Sequence, residues 1–431
     1  MNKELFAFIE NSPTAFHTVD TIKDFLLKDD FIPLNIGEEW NIEEGKGYFV
    51  TRNNSSLISF KVPCGGFKGF MIGASHSDSP CFKLKSNPVT DDGMYVRLNT
   101  ERYGGMINST WLDRPLSLAG RVIVSTPDGI RTELVNSKKP VAIIPNIAIH
   151  LNKTANEGTT YNAAVDLVPL YSTTEDSSFT PSFMEYVADL LYVSQDDILA
   201  SDLFLYNADK GYSWGDFITA PRIDDLQCVY ASLKGFLLSH KSDSMPVLAV
   251  FDNEEVGSST KQGADSDFLN TVLTKVIISL GMSVDALADK LANSFMLSCD
   301  NGHAVHPNHP ELTDKNNCVK LNGGIVIKHN ANQRYCTDSV SASLTKLLCE
   351  RALVPYQEYS NRSDLPGGST LGNIANTHNS MLTADIGLPQ LAMHSALETA
   401  GIQDTEYMEV LMKVFFSSSV VQLADGVYSI K

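Results

Sequence analysis

The chain has 431 residues, 43% hydrophobic and 19% charged, an ordinary globular composition with length for two or three domain-sized units. Its 33 Lys and Arg against 51 Asp and Glu leave a net charge of −18, which argues against nucleic acid or an anionic membrane as a partner. The first residues mix charges into their apolar pattern and do not read as a secretory signal, and no stretch approaches the roughly 18 apolar residues of a membrane span.

Residues 2–28 read as an amphipathic helix broken around Asn11-Ser12-Pro13, with Ser12 placed to cap the second segment. Short apolar runs at 69–74, 247–251, 295–298 and 390–393 read as buried strands. Between them, 224–238, 267–280 and 339–353 carry apolar residues at helical spacing. Strands alternating with helices predict an α/β fold, a mostly parallel mixed sheet flanked by helices. The middle of the chain differs. From about 92 to 212 it shows short β-like pieces, RVIVS (121–125) and VAIIPNIAIHL (141–151), interrupted by the polar stretch at 172–180. This predicts a β-rich domain, 92–212, inserted into an α/β domain made of 1–91 and 213–431.

Each buried-strand candidate runs into a metal-competent side chain: His76, the Asp252-Asn253-Glu254-Glu255 run, Asp300 and His394. Open α/β sheets bind ligands beyond the carboxyl ends of their strands, so these four ends predict one site. Alone, His76 is a polar loop histidine, although Asp78 two residues on can accept its imidazole N–H and fix the ring. Adjacent glutamates after a strand point in different directions, so one can bind metal while the other moves protons. Together the set suits two Zn2+ ions, with Co2+ or Mn2+ as substitutes. Asp224 reads first as a helix N-cap; a carboxylate at this position is also able to reach the rim and bridge two metals. Thiolates are not candidates. The seven cysteines are odd in number, scattered and never in CxxC spacing, which predicts reduced thiols in a cytoplasmic protein.

The segments SHSDSP (75–80), DRPLSLAGRV (113–122), IAIHL (147–151), RIDDL (222–226), DNEEVGS (252–258), DNGHAVHPN (300–308), NANQRY (330–335) and PQLAMHS (389–395) resemble the aspartyl aminopeptidase family (M18) of metallopeptidases. They run in the family's order and span nearly the whole chain. The resemblance implies a zinc-exopeptidase-like fold and a co-catalytic pair of zinc ions, one held by His76 and Asp300, the other by Glu255 and His394, with Asp224 bridging. It makes Asp78 the residue that orients His76 and Glu254 the general base. It also implies that the insert forms dimers, that dimers build a tetrahedral homododecamer, and that His150 reaches a neighbouring subunit's active site to help stabilise the oxyanion. Lys328 matches the lysine that meets an acidic substrate side chain. Asp225 stands where the family more usually has Asn, and Gly367 where it has Cys.

The resemblance implies hydrolysis of an N-terminal, acidic (Asp or Glu) residue from a peptide. Glu254 takes a proton from the attacking water and delivers it to the leaving amine. His303 is expected to line the pocket; His306 and His309 are broken from helical stacking by Pro307 and Pro310 and read as structural. The rival readings are a dizinc carboxypeptidase or deacylase with the same ligands, and a catalytically silent, shell-forming homologue. A serine hydrolase through Ser369 lacks the GxSxG context.

Overall fold

The computed structural model describes residues 2–173 and 180–431; most of the polar stretch at 172–180 lies outside them. A nine-stranded sheet runs in the order Ile32–Leu34, Gly47–Arg52, Ser56–Lys61, Met245–Phe251, Phe70–His76, Phe295–Cys299, Leu382–Gly387, Ile325–His329, Tyr356–Ser360. Its four middle strands, Met245–Phe251 to Leu382–Gly387, are mutually parallel, and antiparallel pairings flank them. Side chains alternate between the sheet's faces. Met71, Leu248 and Leu297 enter one core with the helices Ile223–Leu237, Ser339–Ala352 and Asp404–Phe416. Ile72, Ala249 and Met296 enter the other with Phe268–Ser279 and Leu371–His378. Burial on both faces explains why these strands read as unbroken apolar runs. Among the described residues no helix is long and apolar enough to cross a membrane.

Several elements differ from their sequence reading. The run at 390–393 is not a main-sheet strand; Pro389–Leu391 belongs to a separate five-stranded sheet with Tyr212–Trp214, Phe217–Ala220, Glu398–Gly401 and Gly302–His303. The main-sheet strand is Leu382–Gly387, whose buried Asp385 disguises it. That carboxylate accepts the Thr370 hydroxyl at 2.6 Å and the Cys336 backbone N–H at 2.6 Å, so its burial costs little. Ser12 does not cap the second helix. It ends the first, Lys3–Asn11, and Thr14 precedes the second, Ala15–Lys28.

The β-rich part is a closed antiparallel barrel of Ile198–Asn207, Cys81–Asp91, Val96–Tyr103, Leu170–Ser172, Gly129–Ile143 and Pro115–Thr126. Phe82, Leu98, Leu118, Val122 and Leu205 share its core. The barrel's first strand starts at Cys81, earlier than the composition break near residue 92. The β-like run 141–151 keeps its strand only to Ile143; 144–148 are irregular and a turn follows at 149–151, leaving Ile147, Ile149 and Leu151 exposed.

Candidate metal centre

Register brings the carboxyl ends of the central strands to one rim. Phe251 pairs with His76, and Ser298 pairs with Ala74 and with Asp385. His76 closes its own strand, and Asp300 follows Cys299 directly. After Phe251, Asn253 takes a left-handed conformation (φ 61°) that turns the chain into the short helical turn Glu254–Val256. His394 arrives differently, from a turn after Pro389–Leu391 in which both Ala392 (φ 57°) and His394 (φ 65°) are left-handed.

Asp224 is not a helix cap. Helical dihedrals break at Asp224 (φ −79°, ψ 111°) and Asp225, the peptide between them is cis, and both side chains are buried. The Asp224 carboxylate lies between the two histidines. Oδ1 is 3.3 Å from His76 Nε2, and Oδ2 is 3.5 Å from His394 Nε2. His76 Nε2 is 3.7 Å from Asp300 Oδ1, and His394 Nε2 is 3.3 Å from Glu255 Oε2. Two overlapping groups result, each with ligand atoms within 4.8 Å of one another: His76, Asp224, Asp225 and Asp300; and Asp224, Glu255 and His394.

Electrostatics fit a cation at each group. Asp224 Oδ1, Asp225 Oδ1 and Glu255 Oε1 are buried and accept no hydrogen bond, a costly arrangement unless something else meets them. Burial pushes the His76 and His394 rings toward neutrality, yet the carboxylates win. Asp224, Asp300 and Asp78 hold His76 well above its ordinary value, while Asp224 and Glu255 raise His394 to about 10. Against its own burial, Asp224 is held well below the carboxylate range by the His394 and His76 rings beside it. Burial, reinforced by Asp300, Asp78 and Asp224 and opposed by His76, lifts the Glu254 carboxyl to about 8. Among the described residues that carboxylate has no hydrogen-bond partner.

The supporting residues are where much of the order comes from. His76 Nδ1 meets the Asp78 backbone carbonyl at 3.1 Å and its carboxylate at 3.4 Å, so residue 78 holds the ring mainly through its carbonyl. The Asp78 carboxylate accepts the Tyr103 hydroxyl at 2.7 Å, tying the barrel to the rim. Asp225 Oδ2 accepts the His76 backbone N–H at 3.1 Å. Glu398 is buried beside Asp224 and His394. Tyr103 and Glu398 were missed on sequence because nothing local marks them. Glu398 lies four residues beyond His394, the only hint available.

Three further candidates lie outside the two ligand groups. Lys328 is 2% exposed; its ammonium donates to the Asn301 carbonyl at 2.8 Å, lies 3.3 Å from Asp300 Oδ2, and stands 5.5 Å over the Tyr335 ring. Burial disfavours its charge, but Asp300 and Asp385 hold it protonated. His303 lines a neighbouring cleft with His306, Gln390 and Ala392. Burial and the Lys328 charge lower its basicity. His150 sits in the exposed turn after the barrel strand and belongs to neither ligand group.

Histidines and carboxylates gathered in overlapping groups, from the rim of a parallel-centred α/β sheet (His76, Glu255, Asp300) and from neighbouring elements (Asp224, His394), fit a metal-dependent hydrolase. The profile of the family described as Aminopeptidase I zinc metalloprotease (M18) matches residues 8–416. The chain belongs to this M18 family of aminopeptidases, which are zinc metalloproteases. A probable M18 family aminopeptidase 2 of Clostridium novyi (strain NT) is 46% identical over 423 residues, spanning 96% of this chain and 98% of that protein. Its counterpart in Pseudomonas aeruginosa (strain LESB58) is 37% identical over 427 residues, spanning 97% and 98%. Among solved structures, Ape4 in its complex with Nbr1 superposes with a TM-score of 0.92 at 34% identity, covering 96% of this chain and 85% of that one. The S. cerevisiae mApe1 dodecamer does so with 0.85 at 28% identity, covering 96% and 95%.

Proposed function

We propose that this aminopeptidase is a dizinc enzyme that removes acidic residues from peptide N-termini, with Glu254 as its general base. The observation that carries the reading is Asp224, one oxygen toward each histidine, shared by both ligand groups. In it, His76 and Asp300 would hold one Zn2+, Glu255 and His394 the other, with Asp224 shared by both; Co2+ or Mn2+ can substitute. Bound zinc would supply Lewis acidity and lower the pKa of water. Glu254 takes a proton from the attacking water and returns it to the leaving amine. Asp78 keeps His76 and the Glu254–Glu255 turn in position.

Selection of an acidic first residue rests on Lys328, a buried ammonium against Asp300 at the edge of the ligand groups; His303 lines the adjacent cleft. His150 acts on a neighbouring subunit's site, which its exposure and its absence from both ligand groups support. The barrel is the dimerisation domain, and dimers assemble as in the dodecameric relative. Seven free thiols favour a reducing, cytoplasmic setting.

The test is zinc content per subunit together with turnover of Asp-, Glu- and Leu-p-nitroanilides before and after chelation. Two zinc ions and a preference for Asp and Glu are expected. Undiminished activity after thorough chelation would sink the metal mechanism, and a Leu preference would remove the role given to Lys328.

A further inference from the structure

Glu398 bonds to the backbone of two of the proposed ligands. It stands at the start of the strand Glu398–Gly401, opposite Ala220 in Phe217–Ala220, and is 2% exposed. Its Oε2 accepts the backbone N–H of Asp224 at 3.1 Å, and its Oε1 accepts the backbone N–H of His394 at 2.7 Å. These two residues are 170 positions apart and come from different elements: a broken helix start and a turn with two left-handed residues. Non-glycine residues at positive φ cost free energy and persist only where surrounding contacts over-determine them. At His394 the Glu398 carboxylate is such a contact.

We propose that Glu398 is a positioning residue that sets the spacing between the bridging Asp224 and His394, and thereby the affinity of the metal position completed by Glu255. This rests on the dizinc reading above. The two positions are not equally dependent on it. The one completed by Glu255 draws two of its three protein ligands, Asp224 and His394, from backbone that Glu398 holds. The other shares only Asp224, and its His76 is held independently through Asp225 Oδ2 and the Asp78 carbonyl. A carboxylate is required because both of its oxygens are used as acceptors. A carboxamide keeps one acceptor and turns an NH2 group toward the second N–H, so one ligand is released.

The experiment compares Glu398→Gln with wild type and with Asp404→Asn as a control for general destabilisation. Asp404 is also a buried carboxylate on two backbone N–H groups, those of Asn322 and Gly324, but it touches no proposed ligand. Zinc is titrated against a chromophoric chelator to give two stepwise affinities, and the cobalt-loaded protein's absorption is recorded. In Glu398→Gln one position is expected to weaken by about 10–100-fold while the other holds, as is typical when support behind a ligand is lost. Half of the cobalt signal should change, and added zinc should restore turnover. Two unchanged affinities would overturn the proposal, and so would equal weakening of both that Asp404→Asn reproduces. Wild-type protein that takes up fewer than two zinc ions would instead overturn the dizinc reading itself.

Discussion

The Asp78 carboxylate accepts the backbone N–H of Glu254 at 3.2 Å on Oδ1, and its other oxygen accepts that of Glu255, also at 3.2 Å. One side chain therefore fixes both the proposed base and a proposed ligand, while its own carbonyl holds the His76 ring. Asp78→Asn presents an NH2 group to one of those N–H donors. Turnover is expected to fall about 10–100-fold, with zinc affinity falling in parallel, because outer-shell partners of ligands typically contribute that much. Unaltered affinity measured by chelator competition would refute this role.

Glu254 is the proposed proton carrier, so its isosteric amide should separate chemistry from binding. Glu254→Gln removes no ligand and leaves the Asp78 hydrogen bond to its backbone in place. A kcat lower by about 10²–10⁴-fold is expected, with zinc content and melting temperature unchanged. If kcat stays within a few-fold of wild type, another group is the base.

His150 tests the assembly. A His150→Ala chain keeps Glu254, and a Glu254→Gln chain keeps His150. Mixed and reassembled, heterodimers would hold one complete site each, restoring up to about a quarter of wild-type activity from two inactive variants in a symmetric dimer. No recovery in verified heterodimers would show that His150 does not act across subunits.

Sequence and structure agree where a single strand or helix decides the matter. The helices at 224–238, 267–280 and 339–353 lie within a residue of Ile223–Leu237, Phe268–Ser279 and Ser339–Ala352. The strands that end at His76 and before Glu254 and Asp300 were legible because double-sided burial leaves only apolar residues in them. What was not legible depends on long-range partners. Leu382–Gly387 hides behind Asp385, which is tolerable only because Thr370 and Cys336 come to it from elsewhere. His394 looked like a strand end and is a strained turn. The same blindness covers Glu398 and Tyr103, whose roles exist only after the barrel and the small sheet have met the rim. Asp224 shows the limit best: a helix-start aspartate is a cap by local rules, and only the fold turns it toward two histidines.

His17, in the helix Ala15–Lys28, meets the Thr14 hydroxyl at 2.9 Å through Nδ1. Burial lowers its basicity to about 4 from the ordinary 6.5, with Arg222 and Lys138 adding to the effect and Asp20 opposing it. Between those values the unfolded chain binds more protons at this residue than the folded one, so stability rises with pH there. The contribution is complete above about pH 6.5 and is lost as pH falls toward 4. Screening at a partly exposed side chain trims it to about 1–2 kcal/mol. His17→Gln removes the titration and leaves a side chain that can still pair with Thr14. Melting temperatures at pH 7 and pH 5 should therefore differ less in the variant than in wild type. Zinc lost on acidification affects both proteins and cancels in the comparison. An equal drop in the two would place the His17 proton equilibrium near its unfolded value and remove this residue from the acid sensitivity of the fold.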